Sequence, residues 1–391
     1  MSEEAPKKRA LLTAGEGTAR TLDGMRKEMR DVDRRIIELV AERIRLAQTI
    51  GDEKRKRELP IQDFSVEKQV VDAARASCRE LGIDEDVGEE VMLPLIKNAV
   101  RAQERDRVGR NRLAGGGKKV LVVGGAGLMG RWFAAFLTSQ GHMVTVCDPA
   151  GPVTGFAHVT EVEDAAQTAD VVIIATPPSV TSPILDDLGT SGTDAVVFDI
   201  CSLKTPIKGA LEALRARGVD VASIHPMFGP GVDLLSGRHI ILCPLGSRRA
   251  DDMVRSFFRD TCATIVEMSL DDHDQLVSYV LGLSHAVNIL FNDVLARSGR
   301  RLDAIRSVAS TTFDRQLAVA RQLAMENPDL YYEIQALNAY TPQVLDSLDA
   351  SMAMFARTVV QRDRKGFVKL MERAADYYAG RDPLGKKEGS S

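Results

Sequence analysis

The run KKVLVVGGAGLMGRWFAAFLTSQGHMVTVCD (118–148) is the most restrictive feature of this chain. A β-rich segment, VLVV (120–123), leads into Gly125-x-Gly127-x-x-Gly130. A helix-like stretch and a second β-rich segment, MVTVC (143–147), follow. Strand, glycine turn, helix and strand in that order form one βαβ unit of a doubly wound sheet, and the glycine spacing suits a dinucleotide. On this reading Gly125 permits the tight turn, Gly127 lets the backbone approach a pyrophosphate, and Gly130 lets helix and strand pack closely. Ala126, Leu128 and Met129 complete the candidate phosphate turn, at a helix N-terminus that carries partial positive charge. A glycine turn without a ligand is the alternative, and the complete βαβ context weighs against it.

Asp148 closes the second strand, 23 residues after Gly125. A carboxylate there accepts from a ribose 2′-hydroxyl and repels a 2′-phosphate. The residues that follow, PAGPVTG, contain no Lys or Arg, so NAD is expected over NADP. Another β-rich run, VVIIA (171–175), ends in ATPP and places Thr176 and Pro177 at the carboxyl edge of the sheet, where ligands bind.

The same texture continues through AVVFD (195–199), VASI (221–224) and HIILC (239–243). The alternation predicts an α/β Rossmann domain over 119–270 with a mostly parallel sheet. Residues 20–108 read as nearly pure helix, and 271–380 as helix again. Residues 109–118, with Gly115-Gly116-Gly117, read as a linker, and 1–19 and 381–391 as flexible tails. The chain of 391 residues is thus expected to be multidomain: an all-α bundle, the Rossmann domain, and a C-terminal all-α domain.

Composition narrows the function classes. A net charge of −4 gives no basic surface for nucleic acid. No run of about 18 apolar residues and no apolar leader are present, so neither a membrane span nor a secretory signal is expected. Five cysteines, an odd number without a CxxC pair, suit reduced thiols in a cytoplasmic protein. Six scattered histidines show no metal-ligand spacing, so no metal is expected.

In the N-terminal helix, apolar residues recur at Leu22, Met25, Met29, Val32, Ile36, Leu39, Leu46 and Ile50, a coiled-coil-like seam. Arg43 occupies the seam position missing between 39 and 46. It is either a paired or snorkelling arginine, or part of an anion site inside a bundle. Lys54 falls on nearly the same face. Arg26 stands 17 residues from Arg43, roughly 26 Å along a helix. Arg26 is therefore a surface charge, or it serves a site shared with a second chain.

LDGMRKEMRDVDRRIIELVAERIRLAQTIGDEK (22–54) and LPIQDFSVEK (59–68) resemble the all-helical chorismate mutases over about residues 20–108. The resemblance implies an intertwined dimer whose long first helix spans two active sites. Arg26 and Arg43 would bind the two carboxylates of chorismate. Lys54 and Gln103 would donate to the ether oxygen, and Asp63, with Glu67 beside it, would accept from the ring hydroxyl. A pericyclic rearrangement needs no nucleophile or base; position and electrostatics supply the rate. The sequence departs from the family at Val66, where an Arg is common, and at Ala99, where a Ser is common.

Further on, Ser202 and Lys204 follow the strand AVVFD, and His225 ends the strand before HPMFGP. His225 is either a satisfied histidine or a catalytic one; its place at a strand's carboxyl end favours the second. On the apolar helix 273–295, Asp274, Ser278, His285, Asn288 and Asn292 form a polar stripe, expected to line a wet cavity rather than face bulk water.

GGAGLMGR, DICSLK, HPMFGP, HDQ, GLSHAVN and STTFDR, from about 119 to 380, resemble prephenate dehydrogenase. With the mutase-like part, the chain resembles a bifunctional chorismate mutase–prephenate dehydrogenase of tyrosine biosynthesis. A prephenate dehydratase fusion would not need the glycine turn. The resemblance implies NAD, the substrates chorismate and prephenate, and a homodimer formed through both helical domains. His225 would accept the substrate hydroxyl proton, and Arg315 would hold a carboxylate. Ser202 would orient His225 or the hydroxyl, and His285 would touch substrate with Asp274 behind it. Lys204 would support charge near cofactor and substrate. The alternative is a prephenate or arogenate dehydrogenase whose N-terminal helices are an inactive or regulatory module.

Overall fold

The computed structural model describes residues 21–57, 59, 61–110 and 117–381. The expected tails, apart from Arg381, and residues 111–116 of the expected linker lie outside the described residues. The chain divides into two compact units, Met1–Asp106 and Arg107–Ser391.

Three helices make the first unit: α1 (Leu22–Lys56), α2 (Phe64–Leu81) and α3 (Glu85–Arg110). The Thr21 side chain caps α1 by accepting from Gly24 N, and Asp63 caps α2 by accepting from Ser65 N and Val66 N. Capping of this kind satisfies backbone donors that a helix start leaves open. Gly82, with φ of 70°, ends α2 in the left-handed conformation. Arg79 then grips Glu85 through two nitrogens at 2.7 and 2.8 Å, closing the turn into α3. Within one chain the apolar seam of α1 stays uncovered: Leu22, Met29, Leu39 and Leu46 are each about 60% exposed, and Ala47 is the buried residue of α1.

The second unit is built on an eight-stranded sheet in the order β3-β2-β1-β4-β5-β6-β7-β8. Its strands are β1 (Lys119–Val123), β2 (Met143–Cys147), β3 (Ala157–Val159), β4 (Val171–Ile174), β5 (Val196–Asp199), β6 (Val221–Pro226), β7 (His239–Pro244) and β8 (Thr264–Glu267). The first six run parallel in the doubly wound order; β7 pairs antiparallel with β6, and β8 parallel with β7. Every residue of β4, β5 and β6 is buried, as expected of central strands covered on both faces. Helices α4 (Leu128–Ser139), α5 (Val162–Ala166), α6 (Pro178–Ser191), α7 (Lys208–Ala216) and α8 (Arg248–Phe258) connect the strands. Trp132 and Phe136 stack at 4.8 Å on α4, and Trp132 Nε1 donates to Val232 O at 2.6 Å, tying the loop after β6 to the helix after the glycine turn.

From Leu270 the chain is helical. α9 (Leu270–Val277), a π-helical turn (Ser278–Leu283) and α10 (Ser284–Arg297) run on from one another. They are followed by α11 (Leu302–Arg306), α12 (Thr311–Ala324), α13 (Pro328–Ala336), α14 (Thr341–Val360) and α15 (Arg364–Tyr378). No unbroken run of 18 apolar residues occurs there, yet the 28 residues Leu270–Arg297 reach the length and mean hydropathy of a membrane span. Their buried His273 and Asp274, however, are bound into the sheet domain described below. The π-helical turn shifts the helical phase and breaks the expected polar stripe. Asp274 faces a loop of the sheet domain, while Asn288 accepts from Gln316 Nε2 at 2.9 Å and Asn292 donates to Ala320 O at 2.8 Å. The last two asparagines thus pin α10 to α12 instead of lining a cavity.

Candidate active sites

In the helical unit a cavity of about 350 Å³ opens between the three helices. Arg43, Lys54, Asp63, Glu67 and Gln103 line it, with an apolar floor that includes Val70, Ile96 and Val100. The cationic heads are held by carbonyls. Arg43 Nη1 donates to Leu95 O and Lys54 Nζ to Ile61 O, both at 2.8 Å, and neither forms an ion pair among the described residues. Gln103 Nε2 donates to Ala47 O at 2.7 Å, and its Oε1 is buried without a partner. Glu67 presents a second buried orphan, Oε1.

Asp63 spends Oδ1 on the cap of α2, where it accepts from Ser65 and Val66, and these bonds hold its carboxyl below the ordinary range. Asp63 Oδ2 and Glu67 Oε1 are thus both left as unengaged acceptors at the cavity. Arg26 stands apart from this cavity, 62% exposed and paired with Asp23 at 3.4 Å. Val66 and Ala99 both line the cavity and bring no cation or hydroxyl to it.

In the sheet domain the left-handed glycine of the turn is Gly124, with φ of 79°, and not Gly125 as the spacing suggested. A β-carbon on Gly124 would stand 2.6 Å from Ala175 O. Gly125 is instead required by proximity: a β-carbon there would come 2.4 Å from Val146 Cγ1. One on Gly130 would come 2.2 Å from Gly124 O, the close helix approach expected of it. Gly127 caps α4 with no side-chain bond, leaving first-turn donors for an anion. Ala126 N is already taken by Asp148 Oδ2 at 2.8 Å, and Ala150 N by Asp148 Oδ1 at the same distance. Leu128 is exposed at the helix start, whereas Met129 packs on the core. Thr176 and Pro177 lead into α6, with Thr176 Oγ1 2.8 Å from Thr181 Oγ1, and Thr176 lies against Gly124. The cradle fits a dinucleotide: filling any of its tight glycines with a side chain would close it.

Beside the carboxyl ends of β5 and β6 lies a buried ionisable cluster. His225 Nδ1 is 2.9 Å from His273 Nε2, and His273 Nδ1 is 2.7 Å from Asp274 Oδ1. Burial, followed by the charges of His273 and Lys204, holds His225 well below the ordinary value of 6.5. Burial also lowers His273, although Asp274 opposes the shift. Burial alone would raise Asp274. Hydrogen bonds from His273, Thr205 and the Lys204 and Thr205 backbone outweigh it and keep the carboxyl below its ordinary range. Those donors are Lys204 N at 2.9 Å, Thr205 N at 2.5 Å and the Thr205 hydroxyl.

Several expected roles change here. Lys204 is fully buried, and its ammonium donates to Asp199 Oδ1, Cys201 O and Ile224 O at 2.8 to 2.9 Å. It braces the ends of β5 and β6 from beneath, and a charge so enclosed cannot reach a ligand. Asp274 pairs with His273 rather than standing behind His285. His285 packs against Tyr331 with the rings tilted by 48° and their centroids 4.5 Å apart, and its Nδ1 is buried without a partner. Ser202 is half-buried and has no bond to His225, whose Nδ1 is occupied by His273. Arg315 is exposed on α12 and forms no ion pair among the described residues. His273 was missed in the sequence because it lies one residue off the polar stripe; the signal was its place directly before Asp274 in HDQ.

Comparison with known proteins accords with this division. Family models match in chain order: chorismate mutase type II over residues 25–104, the prephenate dehydrogenase nucleotide-binding domain over 152–267, and the prephenate dehydrogenase dimerization domain over 269–373. A T-protein of Enterobacter agglomerans is 24% identical over 91% of this chain and 93% of its own length. A chorismate mutase of Methanocaldococcus jannaschii is 32% identical over 21% of this chain and 82% of its own. A probable arogenate/prephenate dehydrogenase of the same organism is 26% identical; that match covers 66% of this chain and spans 60% of the relative. Among solved structures, a prephenate dehydrogenase of A. aeolicus, in complex with hydroxyphenyl propionate and NAD+, shares the fold of the second unit. Its TM-score is 0.53 at 20% identity, over 67% of this chain and 98% of that one. The chain belongs to the family that joins a type II chorismate mutase to a prephenate dehydrogenase.

Proposed function

We propose that the first unit rearranges chorismate to prephenate and that the second converts prephenate to 4-hydroxyphenylpyruvate with NAD, in the tyrosine branch of aromatic amino-acid synthesis. The observation that carries the second activity is His225, buried at the carboxyl end of β6 with one ring nitrogen engaged by His273 and the other left for substrate.

In the mutase cavity, Arg43 meets a substrate carboxylate. Lys54 and Gln103 donate to the ether oxygen as its C–O bond breaks, and Asp63 Oδ2, with the unpartnered Glu67 Oε1 beside it, accepts from the ring hydroxyl. Donors already fixed by Leu95 O, Ile61 O and Ala47 O need little reorganisation when charge develops. Arg26 completes the carboxylate contacts from a second chain. The uncovered seam of α1 supports a homodimer, and the dimerization-domain match supports another contact through the C-terminal helices.

In the dehydrogenase, Gly125, Gly127 and Gly130 would hold the pyrophosphate, Asp148 would face the ribose, and Thr176 and Pro177 would border the cofactor. NAD supplies the hydride acceptor. His225 takes the C4 hydroxyl proton while hydride leaves C4, and loss of the ring carboxylate as CO2 restores aromaticity. Arg315 and His285 hold the substrate, and Ser202 orients its hydroxyl. Five cysteines, an odd number with no CxxC pair, support work in the cytoplasm. Chorismate supplied with and without NAD tests both activities: prephenate should accumulate without NAD, and 4-hydroxyphenylpyruvate with it. Prephenate turnover without chorismate consumption would favour an inactive helical module.

A further inference from the structure

We infer that His273 and Asp274 form a proton-holding chain with His225, which fixes the tautomer of the base and takes up its charge during turnover. The inference rests on the dehydrogenase reading above and adds two positioning residues to it.

Asp274 already accepts from Lys204 N, Thr205 N and the Thr205 hydroxyl, so its carboxylate is fixed in place. An ionised carboxylate has only acceptors to offer. The proton between it and His273 therefore sits on His273 Nδ1. A neutral imidazole carries one proton, which leaves His273 Nε2 as an acceptor. The ring nitrogen facing it at 2.9 Å, His225 Nδ1, is then the donor. His225 Nε2 is consequently bare, the state a base needs. One carboxylate thus sets the tautomers of two rings in series.

The same chain handles charge. When His225 Nε2 takes the substrate hydroxyl proton, its Nδ1 proton can pass to His273 Nε2. His273 then carries both protons and the positive charge, directly against Asp274. No proton leaves the site, and no further reactant is involved. The groups facing this pair are Lys204 and Asp199 beneath it, which offset each other at 2.8 Å, and Cys243 on β7, whose thiol is pushed up to about 12. The chain thus has one uncompensated anion, Asp274, at its far end.

Two variants and one spectroscopic measurement test this. In H273L, His225 Nδ1 has no acceptor; in H273Q, an amide carbonyl can still accept but cannot take the proton. H273L should lose on the order of 10²–10³ in kcat, as enzymes do when a base's tautomer is no longer held. H273Q should retain at least ten times the kcat of H273L, and both should bind NAD within about twofold of wild type.

Two-bond proton–nitrogen spectra of histidine-labelled free enzyme, assigned with H225N and H273L, should show both rings protonated on Nδ1. That readout does not depend on turnover. A His225 ring protonated on Nε2, or H273L with unchanged kcat, overturns the inference. If H225N itself turns over prephenate normally, the dehydrogenase reading fails instead, whatever the spectra show.

Discussion

Gly51 makes the room in which Gln103 sits: a β-carbon on Gly51 would stand 2.7 Å from Gln103 Cγ and 3.3 Å from its Cβ and Cδ. Gly51 lies inside α1, where glycine is about 1 kcal/mol worse than alanine for helix stability. A poor helix former in mid-helix therefore serves the neighbouring amide, which reaches Ala47 O one turn back.

G51A should separate stability from activity. The added methyl favours the helix but displaces the Gln103 side chain from Ala47 O and from the cavity. The lost Gln103–Ala47 bond offsets the helix gain, so the thermal midpoint of the helical unit should hold or fall slightly, while mutase kcat falls roughly tenfold, about the worth of one charge-developing hydrogen bond. Prephenate oxidation by the same protein should be unchanged. Parallel assays of chorismate loss and NADH formation decide it; mutase activity at the wild-type level would remove Gln103 from its role.

The lowered histidines make stability depend on pH. In the unfolded chain His225 and His273 titrate near 6.5, and in the folded protein lower. As pH falls below about 6.5 the unfolded chain binds protons that the folded one refuses, so stability drops through that window and is fully present above it. Asp274, held below its ordinary range, adds a second loss only at more acid pH, as the pH falls through its folded value. Urea unfolding followed from pH 8 to 5 should show the loss in wild type and a shallower one in H225N. The acid limb of kcat/KM for prephenate should likewise have its midpoint below 6.5 and vanish in H225N. A midpoint above 6.5 would contradict the burial of the base.

Period and glycine spacing carried most of this fold to the reader of the sequence. β1, β2, β4, β5, β6 and β7 stand out as apolar runs because buried parallel strands need apolar residues on both faces. β3 and β8 do not. They are three- and four-residue edge strands with no fully buried residue, and AHV and TIVE give no such run. The site was legible where a residue type is unusual for its place, as with Arg43 in an apolar seam and His225 after a buried strand. It was illegible where chemistry depends on contacts between distant segments. Lys204 as a buried brace and His273 as the partner of His225 emerge only when β5, β6 and α9 come together. Nor does a spacing rule reveal a π-helical turn, which put Asn288 and Asn292 to work against α12.

Asp148 has a second duty that alters the outcome of its replacement. Its two carboxylate oxygens accept from Ala126 N and Ala150 N, so it shapes the turn in addition to its proposed contact with the ribose. D148S should raise KM for both cofactors, through the loosened turn. The rise for NAD should be about tenfold or more, as expected for loss of a charge-assisted contact. The rise for NADP should be smaller, because repulsion of the 2′-phosphate is relieved at the same time. The NAD preference therefore narrows at a cost in absolute affinity. Initial rates at varied NAD and NADP check this, and a wild type that prefers NADP would refute the role of Asp148.

Arg26 and Arg43 lie on one helix but serve different surroundings. Arg43 lines the cavity, while Arg26 is exposed beside Asp23, 17 residues or roughly 26 Å away along α1. No single small ligand spans that distance, so the proposed contact of Arg26 with the second carboxylate requires another copy of α1, whose seam is uncovered in one chain. R26A and R43A should each be nearly inactive as mutase homodimers. In a mixed dimer one site carries both lesions and the other neither. Random reassembly gives about half mixed dimers, each with one intact site of two, so about a quarter of the mutase activity should return. Prephenate oxidation should stay level throughout, since neither arginine belongs to that site. Refolding the two inactive variants together and following chorismate loss measures it. Mixed dimers, verified by mass, that remain inactive would make Arg26 a surface charge or a ligand of its own chain.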